Sequence, residues 1–426
     1  MVGNNWAHNV SFSSSQVATP TSGDEIASLI REHDRVGVVG AGHSFNSIAD
    51  TTGVLVTTER MRRVLEIDPN EMTVTIEGGA RYNEVCDILH AVGFALPNLM
   101  SIPHFSVVGA CATGTHGSGD SNRCLASAIG EVEFVNGAGE SATVRRGDAD
   151  FGGVPIGLGA LGIVTQLVLD IVPTFDMAQE VLLDLPLRTA IDSFDEIMAS
   201  AYSVSMFTDW QGDTVNQLWR KHRCDAGTAA PVPTSYAGAK PSTAALLPTG
   251  DAGGQHVTPQ LLINGPWHQR LPHIAPSHHL EPAGELQSEY FVSRDHAQDA
   301  LEAIAALQTT LAPAIRMSEI RTVAGDRGTS DDENGLWLSP FRGPTVALHF
   351  SWHIDGNLGP VLPAVELALA PFEPLPHWGK LHAMPSTEVT ARYSRFTEFA
   401  ALVERHDPEH KFRNTYLNNL LGEQAG

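Results

Sequence analysis

A short apolar strand that runs straight into a glycine-rich loop is the strongest constraint in this chain. Residues 36–46 read Val-Gly-Val-Val-Gly-Ala-Gly-His-Ser-Phe-Asn. Glycines at 40 and 42 let the backbone come close to a phosphate, and consecutive N–H groups in such a turn form an anion-binding concavity. The run is not the dinucleotide fingerprint G-x-G-x-x-G, because Phe45 holds the place of the third glycine, and no lysine follows as a P-loop requires. His43 has no neighbouring second ligand for a metal, but it stands where a nucleophile toward a loop-bound cofactor would stand.

The remaining pattern is α+β. Asp24–His33 reads as a helix capped by Ser22, and it leads into strand Val36–Val39. Strands are expected at Val54–Thr57, Val64–Ile67 and Thr73–Ile76, and a helix at Tyr82–Val92 that stops at Gly93. Val132–Val135 and Ala142–Val144 flank Asn136-Gly137, a hairpin signal. From about Asp176 the texture changes. Strands Met177–Leu183 and Ser203–Trp210 bracket a helix near Thr189–Ala201, and Ala226–Pro282 is rich in loop formers. Strand Glu289–Val292, a Ser293 cap, helix Ala297–Leu311 and strands Ala314–Val323 and Thr345–His353 follow, and the chain turns helical again from about His382. A length of 426 residues exceeds one ordinary core. The expected division is a cofactor domain over 1–175, a substrate domain on an antiparallel sheet over 176–380, and a segment over 381–426 that completes the first domain.

A net charge of -23 opposes nucleic acid and anionic lipid as partners. No apolar run is long enough to span a bilayer, and the N-terminus has no basic and apolar secretory pattern. Cys86, Cys111, Cys124 and Cys224 lack CxxC spacing, which points to a reducing cytoplasm. His268, His273, His278 and His279 fit no common zinc signature, so no metal site is expected.

Four further runs could do chemistry. Gly109-Ala-Cys-Ala-Thr-Gly-Thr-His116-Gly-Ser-Gly119 offers N–H groups and hydroxyls to a phosphate or a ring, and alone it also reads as an irregular surface loop. In Thr345–His353, Ala347, His349, Ser351 and His353 share one face, and Glu319 and Arg321 share a face of their own strand. A carboxylate and a guanidinium beside a histidine and a serine suit a polyhydroxylated ligand, although the same pair also reads as a plain cross-strand salt bridge. Lys380, after His377-Trp378-Gly379, would have a lowered pKa if it were desolvated near Arg321, and so could accept a proton.

The ordered set of Gly-Ala-Gly-His43-Ser, Ala-Thr-Gly-Thr-His116-Gly-Ser-Gly, Gly-Ile-Val-Thr, Glu-Tyr-Phe-Val, Ser-Glu319-Ile-Arg321, His-Trp-Gly-Lys380 and Asp-Pro…Lys-Phe-Arg-Asn resembles the alditol (xylitol or sorbitol) oxidases and the related aldonolactone oxidoreductases, FAD proteins of the vanillyl-alcohol-oxidase type. The resemblance runs from about residue 5 to about 420. It implies the two-domain PCMH fold with an inserted α+β substrate domain, and FAD bonded covalently to His43. It places Val39, Gly40, Ala41, Gly42, His43, Ser44, Phe45, Ser101, Ser106, Gly109, Thr113, Gly114, Thr115, His116, Gly117, Ser118 and Ile163 against the flavin cofactor. It places Ser101, Glu319, Arg321, His349, Ser351 and Lys380 around an alditol, with Lys380 or His349 as the base and Arg321 beside it.

The implied reaction is oxidation of a terminal polyol hydroxyl to an aldose, with O2 reduced to H2O2, by a cytoplasmic monomer. An aldonolactone oxidase or dehydrogenase and a flavin binder without turnover are the alternatives. The chain departs from the pattern at Ser351, where a threonine is usual, at the longer loop Asp326–Asn334, and at Met100, where a smaller residue is usual.

Overall fold

Strand Val36–Val39 lies parallel to Val54–Thr57, which in turn pairs with Gln16–Ala18, so the glycine loop leaves from the edge of a three-stranded parallel sheet. The computed structural model of the protein describes residues 3–224, 232–251, 254–278, 284–326 and 335–422. Helix Gly23–Glu32 packs Ile26 and Ile30 inward, and the Ser22 side chain accepts the Glu25 N–H at its start. Next comes a five-stranded antiparallel sheet in the order Val64–Asp68, Thr73–Glu77, Ile163–Asp170, Ile129–Val135, Ser141–Arg145. The last two form the expected hairpin, but its connection spans five residues. Asn136 accepts from the N–H groups of Ala138 and Glu140, and the left-handed residue is Gly139 rather than Gly137.

From Asp176 the strands join a single nine-stranded sheet. Its centre runs Asp176–Pro186, Thr214–Cys224, Ser203–Thr208, Ile315–Val323, Thr345–His353, Glu285–Ser293, with every neighbour antiparallel. Tyr290, Ile320, Leu348 and Phe350, even-numbered residues of the last three strands, are buried in the main core, and Tyr290 donates to Glu366 of helix Leu358–Leu369. The odd-numbered residues form the opposite face, which carries the charged groups described below.

Three local expectations change. The helix expected near Thr189–Ala201 is two short helices, Leu187–Asp192 and Phe194–Met198, interrupted at Ser193. The helix expected over Ala297–Leu311 ends at Ala305 and resumes as Gln308–Leu311. Strand Thr214–Cys224 has no counterpart in the sequence reading, because its buried face carries Gln217, Trp219 and Lys221 rather than an apolar alternation.

The C-terminal segment returns to the first sheet. Val36 N–H donates to the Lys411 carbonyl at 2.9 Å, Lys411 Nζ to the Ile30 carbonyl at 2.8 Å, and Asn414 Nδ2 to the carbonyls of Ile48 and Asp50. Phe412 completes a small core with Ile26, Ile30, Val36 and Val54. Most of the long loop expected after Asp326 lies outside the described residues, as does His279.

Candidate active site

Both glycine runs face one cavity of about 510 Å³. Gly42 adopts φ +70°, a conformation that favours glycine, and turns the chain just before His43. Gly40 and Gly109 both lie against Ser106: a Cβ on Gly40 would overlap the Ser106 hydroxyl, and one on Gly109 would lie 2.6 Å from it. The absence of a side chain at both glycines leaves room for the Ser106 hydroxyl between the two loops. The first loop is clamped from two sides. Asn5 Nδ2 donates to the Ser44 carbonyl (2.8 Å) and Asn9 Nδ2 to that of Phe45 (2.7 Å). Phe45 N–H donates to the Gly379 carbonyl (2.7 Å), and Asn46 Nδ2 to those of Trp378 (2.8 Å) and Lys380 (3.2 Å). Asn46 thus ties the loop that carries His43 to the segment that carries Lys380.

The His43 ring is stacked on Trp6 at 4.9 Å and lies 4.2 Å from Phe105. Burial, with the nearby charges of Arg81 and His104, pushes its pKa down to about 3. The imidazole is neutral at ordinary pH and keeps a nucleophilic nitrogen. Val39 to Phe45, Met100, Ser101, Ser106, Gly109, Thr113, Thr115 and His116 line the cavity, as do Gly157–Gly159 and Gly162. Gly114, Gly117, Ser118 and Ile163 are not in that lining. Gly114 turns the chain at φ +71°, Gly117 packs under Asn98 and Leu99, Ser118 donates to the Val204 carbonyl, and Ile163 is buried beside Val135 and Phe412.

The sheet closes the other end. Glu289, His349 and Glu319 stand directly opposite one another on three adjacent strands, so their side chains share a face. Arg321 lies two residues beyond Glu319 on that face. Glu289 joins the set: Arg321 Nη2 donates to its Oε1 (2.6 Å), Lys380 Nζ to its Oε2 (2.7 Å), and His116 Nε2 lies 3.2 Å from Oε1. Lys380 also donates to His349 Nδ1 at 2.8 Å. His116, expected at the cofactor, is therefore tied to the charge cluster on the sheet as well. Arg321 Nε, 3.6 Å from Glu319, is buried without a hydrogen-bond partner among the described residues. Such an atom is costly unless a ligand satisfies it.

Electrostatics follow from this packing. Burial raises the Glu289 carboxyl, and the Lys380 and Arg321 charges more than reverse it, leaving the group well below its ordinary range. Glu319 is likewise held ionised against burial by Arg321 and His273. Burial and Arg321 lower the pKa of Lys380, with Glu289 opposing. Burial and Lys380 push His349 down to about 3. Two carboxylates and two cations thus sit together out of water, beside a neutral imidazole.

Ser351 is buried on the same face, but its hydroxyl donates to Glu285 Oε2 at 2.6 Å and it does not line the cavity, whereas Glu285 and Gln287 do. Sequence reasoning quoted Glu289 only within a motif and missed Asn46, Glu285 and Gln287 as lining groups. Alternation from Glu289 to Gln287 and Glu285 was the available signal. The clustered histidines have separate partners: His268 meets Asp87, His273 meets Glu319, and His278 meets His256.

The comparisons with known proteins agree with this geometry. Residues 14–145 match the family described as FAD binding domain, and residues 285–420 match D-arabinono-1,4-lactone oxidase. The chain is 41% identical over 422 residues to the alditol oxidase of a Streptomyces species, covering 98% of each chain. It is 25% identical over 434 residues to an L-gulono-1,4-lactone dehydrogenase of Mycobacterium tuberculosis, again over 98% of each. Among solved structures, cholesterol oxidase from B. sterolicum has the same fold, with a TM-score of 0.79 at 14% identity, covering 98% of this chain and 96% of that one. The side-chain-free glycines on either side of Ser106 and the unsatisfied Arg321 Nε fit an FAD site with a polar ligand beside it.

Proposed function

The chain belongs to the alditol oxidase family of FAD-dependent oxidoreductases, and on that premise we propose that it oxidises the terminal hydroxyl of open-chain sugar alcohols, xylitol and sorbitol among them, to aldoses, with O2 as acceptor and H2O2 as second product. The observation that carries the reading is the buried rung Glu289–His349–Glu319 with Arg321 and Lys380 at one end of the cavity that the glycine loops open.

In this reading residues 1–175 and 381–426 hold FAD, and 176–380 supply the substrate face. Gly40–Phe45, Ser106, Gly109 and Thr113 are the groups that would cradle the cofactor, and His43 would bond to it covalently, as its neutral imidazole and place on the loop allow. Bound FAD supplies the two-electron acceptor and the reaction with oxygen.

The protein supplies orientation and proton handling. A polyol hydroxyl can donate to Glu319 and accept from Arg321, whose Nε has a donor free among the described residues. Ser101, in the lining, contributes a further hydroxyl. Lys380 is our choice of base. Its ammonium is disfavoured by burial and Arg321, so a share of the amine form is available to take the proton of the reacting hydroxyl. His349 accepts from Lys380 through Nδ1 and so carries its own proton on Nε2, which suits it to donate to the substrate oxygen rather than to deprotonate it. Holding several hydroxyls at once converts binding into orientation of one terminal carbon.

We place the enzyme in the cytoplasm, a reading that the four free thiols support, and take it to act as a monomer. No helix among the described residues is long and apolar enough to cross a membrane. The test is a screen for peroxide release with xylitol, sorbitol and shorter polyols against aldonolactones. Peroxide from the polyols is expected, and peroxide from lactones alone would move the assignment to the lactone branch.

A further inference from the structure

Behind Glu319 lies a second chain of polar groups that the reading above leaves unused. Lys221, on strand Thr214–Cys224, is 1 % exposed. Burying an ammonium costs several kcal/mol unless it is fully hydrogen-bonded. Its three donors go to the carbonyls of Leu271 and Pro272 and to His273 Nδ1, the last at 3.0 Å. His273 Nε2 in turn lies 2.7 Å from Glu319 Oε1. The His273 ring is boxed in by Phe207 and Trp219 at 5.5 and 5.0 Å, so it cannot readily turn over.

The direction of these bonds follows from the chemistry of the groups. An ammonium has donors only, so His273 Nδ1 must accept, and the proton of the neutral ring must sit on Nε2, aimed at Glu319. Resting on the alditol oxidase reading, we propose that Lys221 and His273 are positioning residues for the substrate: the one-way donor chain from Lys221 through His273 holds one Glu319 oxygen and presents the ionised carboxylate to a polyol hydroxyl. The backbone N–H of His273 donates to the Ser101 carbonyl at 2.9 Å, which ties the same residue to a second group of the lining.

The charge state of Lys221 gives the device a pH dependence. The titratable and charged groups facing it are His273, Glu319 and Arg321, while the neighbouring strands present Gln179 and Ser203 opposite it. Glu180, Arg220 and His222 pair with each other on the opposite face of the sheet. Burial lowers the Lys221 pKa to about 7, with Glu319 opposing and Arg321 adding. Burial and Lys221 push His273 down to about 4, so the ring stays neutral while Lys221 titrates. Below neutrality the ammonium fixes the Nε2–H tautomer. Above it, the amine can accept from Nδ1–H, and a bare Nε2 then faces the Glu319 carboxylate. Substrate binding weakens as pH rises through that range.

The experiment uses the FAD-loaded protein, with ring-15N histidine spectra read across neutral pH and His273→Gln identifying the resonance. The expected result is a neutral Nε2–H ring at low pH that changes through neutrality, with the change abolished in Lys221→Met. In steady state, Lys221→Met should raise the KM for xylitol about tenfold, the worth of one hydrogen bond to a charged group, with a far smaller change in kcat. His273→Gln, which keeps a donor toward Glu319, should recover much of that binding relative to His273→Ala. A His273 signal indifferent both to pH and to Lys221→Met overturns the proposal, as does an unchanged KM in the folded variant. If Lys221→Met does not fold, a wild-type ring signal flat through neutrality overturns it, and a titrating one supports it. If no polyol is turned over, the functional reading fails while the ring signal still decides the relay.

Discussion

At the end of the cavity built from Val39–Asn46 and Ser106–Thr113, the groups on offer are backbone amides and small side chains, and they are neighbours in sequence. At the end built from Glu289, Glu319, Arg321, His349 and Lys380, they are long charged side chains brought together by strand register from positions up to 91 residues apart. The first end is tight at Gly40 and Gly109, where a Cβ would meet Ser106. The second depends on charge balance, because both buried carboxylates there are held ionised by their neighbours. Shape therefore governs the end proposed for the cofactor, and electrostatics governs the end proposed for the substrate.

The largest expected contrast comes from His43→Ala. Wild-type protein should stay yellow after acid precipitation and yield a His43 peptide carrying the mass of FAD, whereas the variant should release its flavin completely. An adduct on His116 instead would move the covalent anchor into the substrate-side cluster and erase the division. Next is Lys380→Met, which should slow anaerobic flavin reduction by about a hundredfold, within the usual range for a general base. Stopped-flow traces matching wild type would pass the role to His349.

Glu289→Gln leaves Arg321 and Lys380 without their shared carboxylate, and should cost about 3 kcal/mol of stability in addition to activity. Glu319→Gln should act mainly on binding, by roughly tenfold in kcat/KM. Denaturant midpoints that rank the two variants the other way would break the claim that Glu289 is the hub.

Acid should weaken both ends together. His43 and His349 titrate near 6.5 when unfolded and near about 3 when folded, so between those values the unfolded chain binds more protons. Stability should fall as pH drops through that window, a loss that thermal melts would register and that His349→Gln should reduce. The smallest effect is expected for Met100→Ala, at the lining beside Ser101. If the thioether hinders oxygen, reoxidation should quicken while reduction holds, and equal rates would show that Met100 is no gate.

What the sequence made legible follows the same division. The glycine loop, its strand and the cap at Ser22 are local features, and each is recovered with its bounds within a residue or so. Glu319, Arg321 and His349 could be put on shared faces from alternation alone, but alternation does not give register, so the partnership of His349 with Glu289 was out of reach. Lys221 was hidden more deeply. Its strand buries polar groups on the cavity side, which removes the period-two apolar signal on which strand recognition rests. Helix Leu358–Leu369 went unmarked because Pro363 interrupts its pattern. Ser351 was placed on the correct face, yet its hydroxyl is committed to Glu285, a contact that only the pairing of the two strands reveals.

The central claim is that the buried charged rung and the glycine cradle act as one site for polyol oxidation. Anaerobic addition of xylitol to the FAD-loaded protein tests it most directly. Complete bleaching of the flavin absorbance is expected at one equivalent of xylitol, and its return with one equivalent of peroxide when air is admitted. A flavin that remains oxidised under excess xylitol and sorbitol, yet bleaches with an aldonolactone, would contradict it.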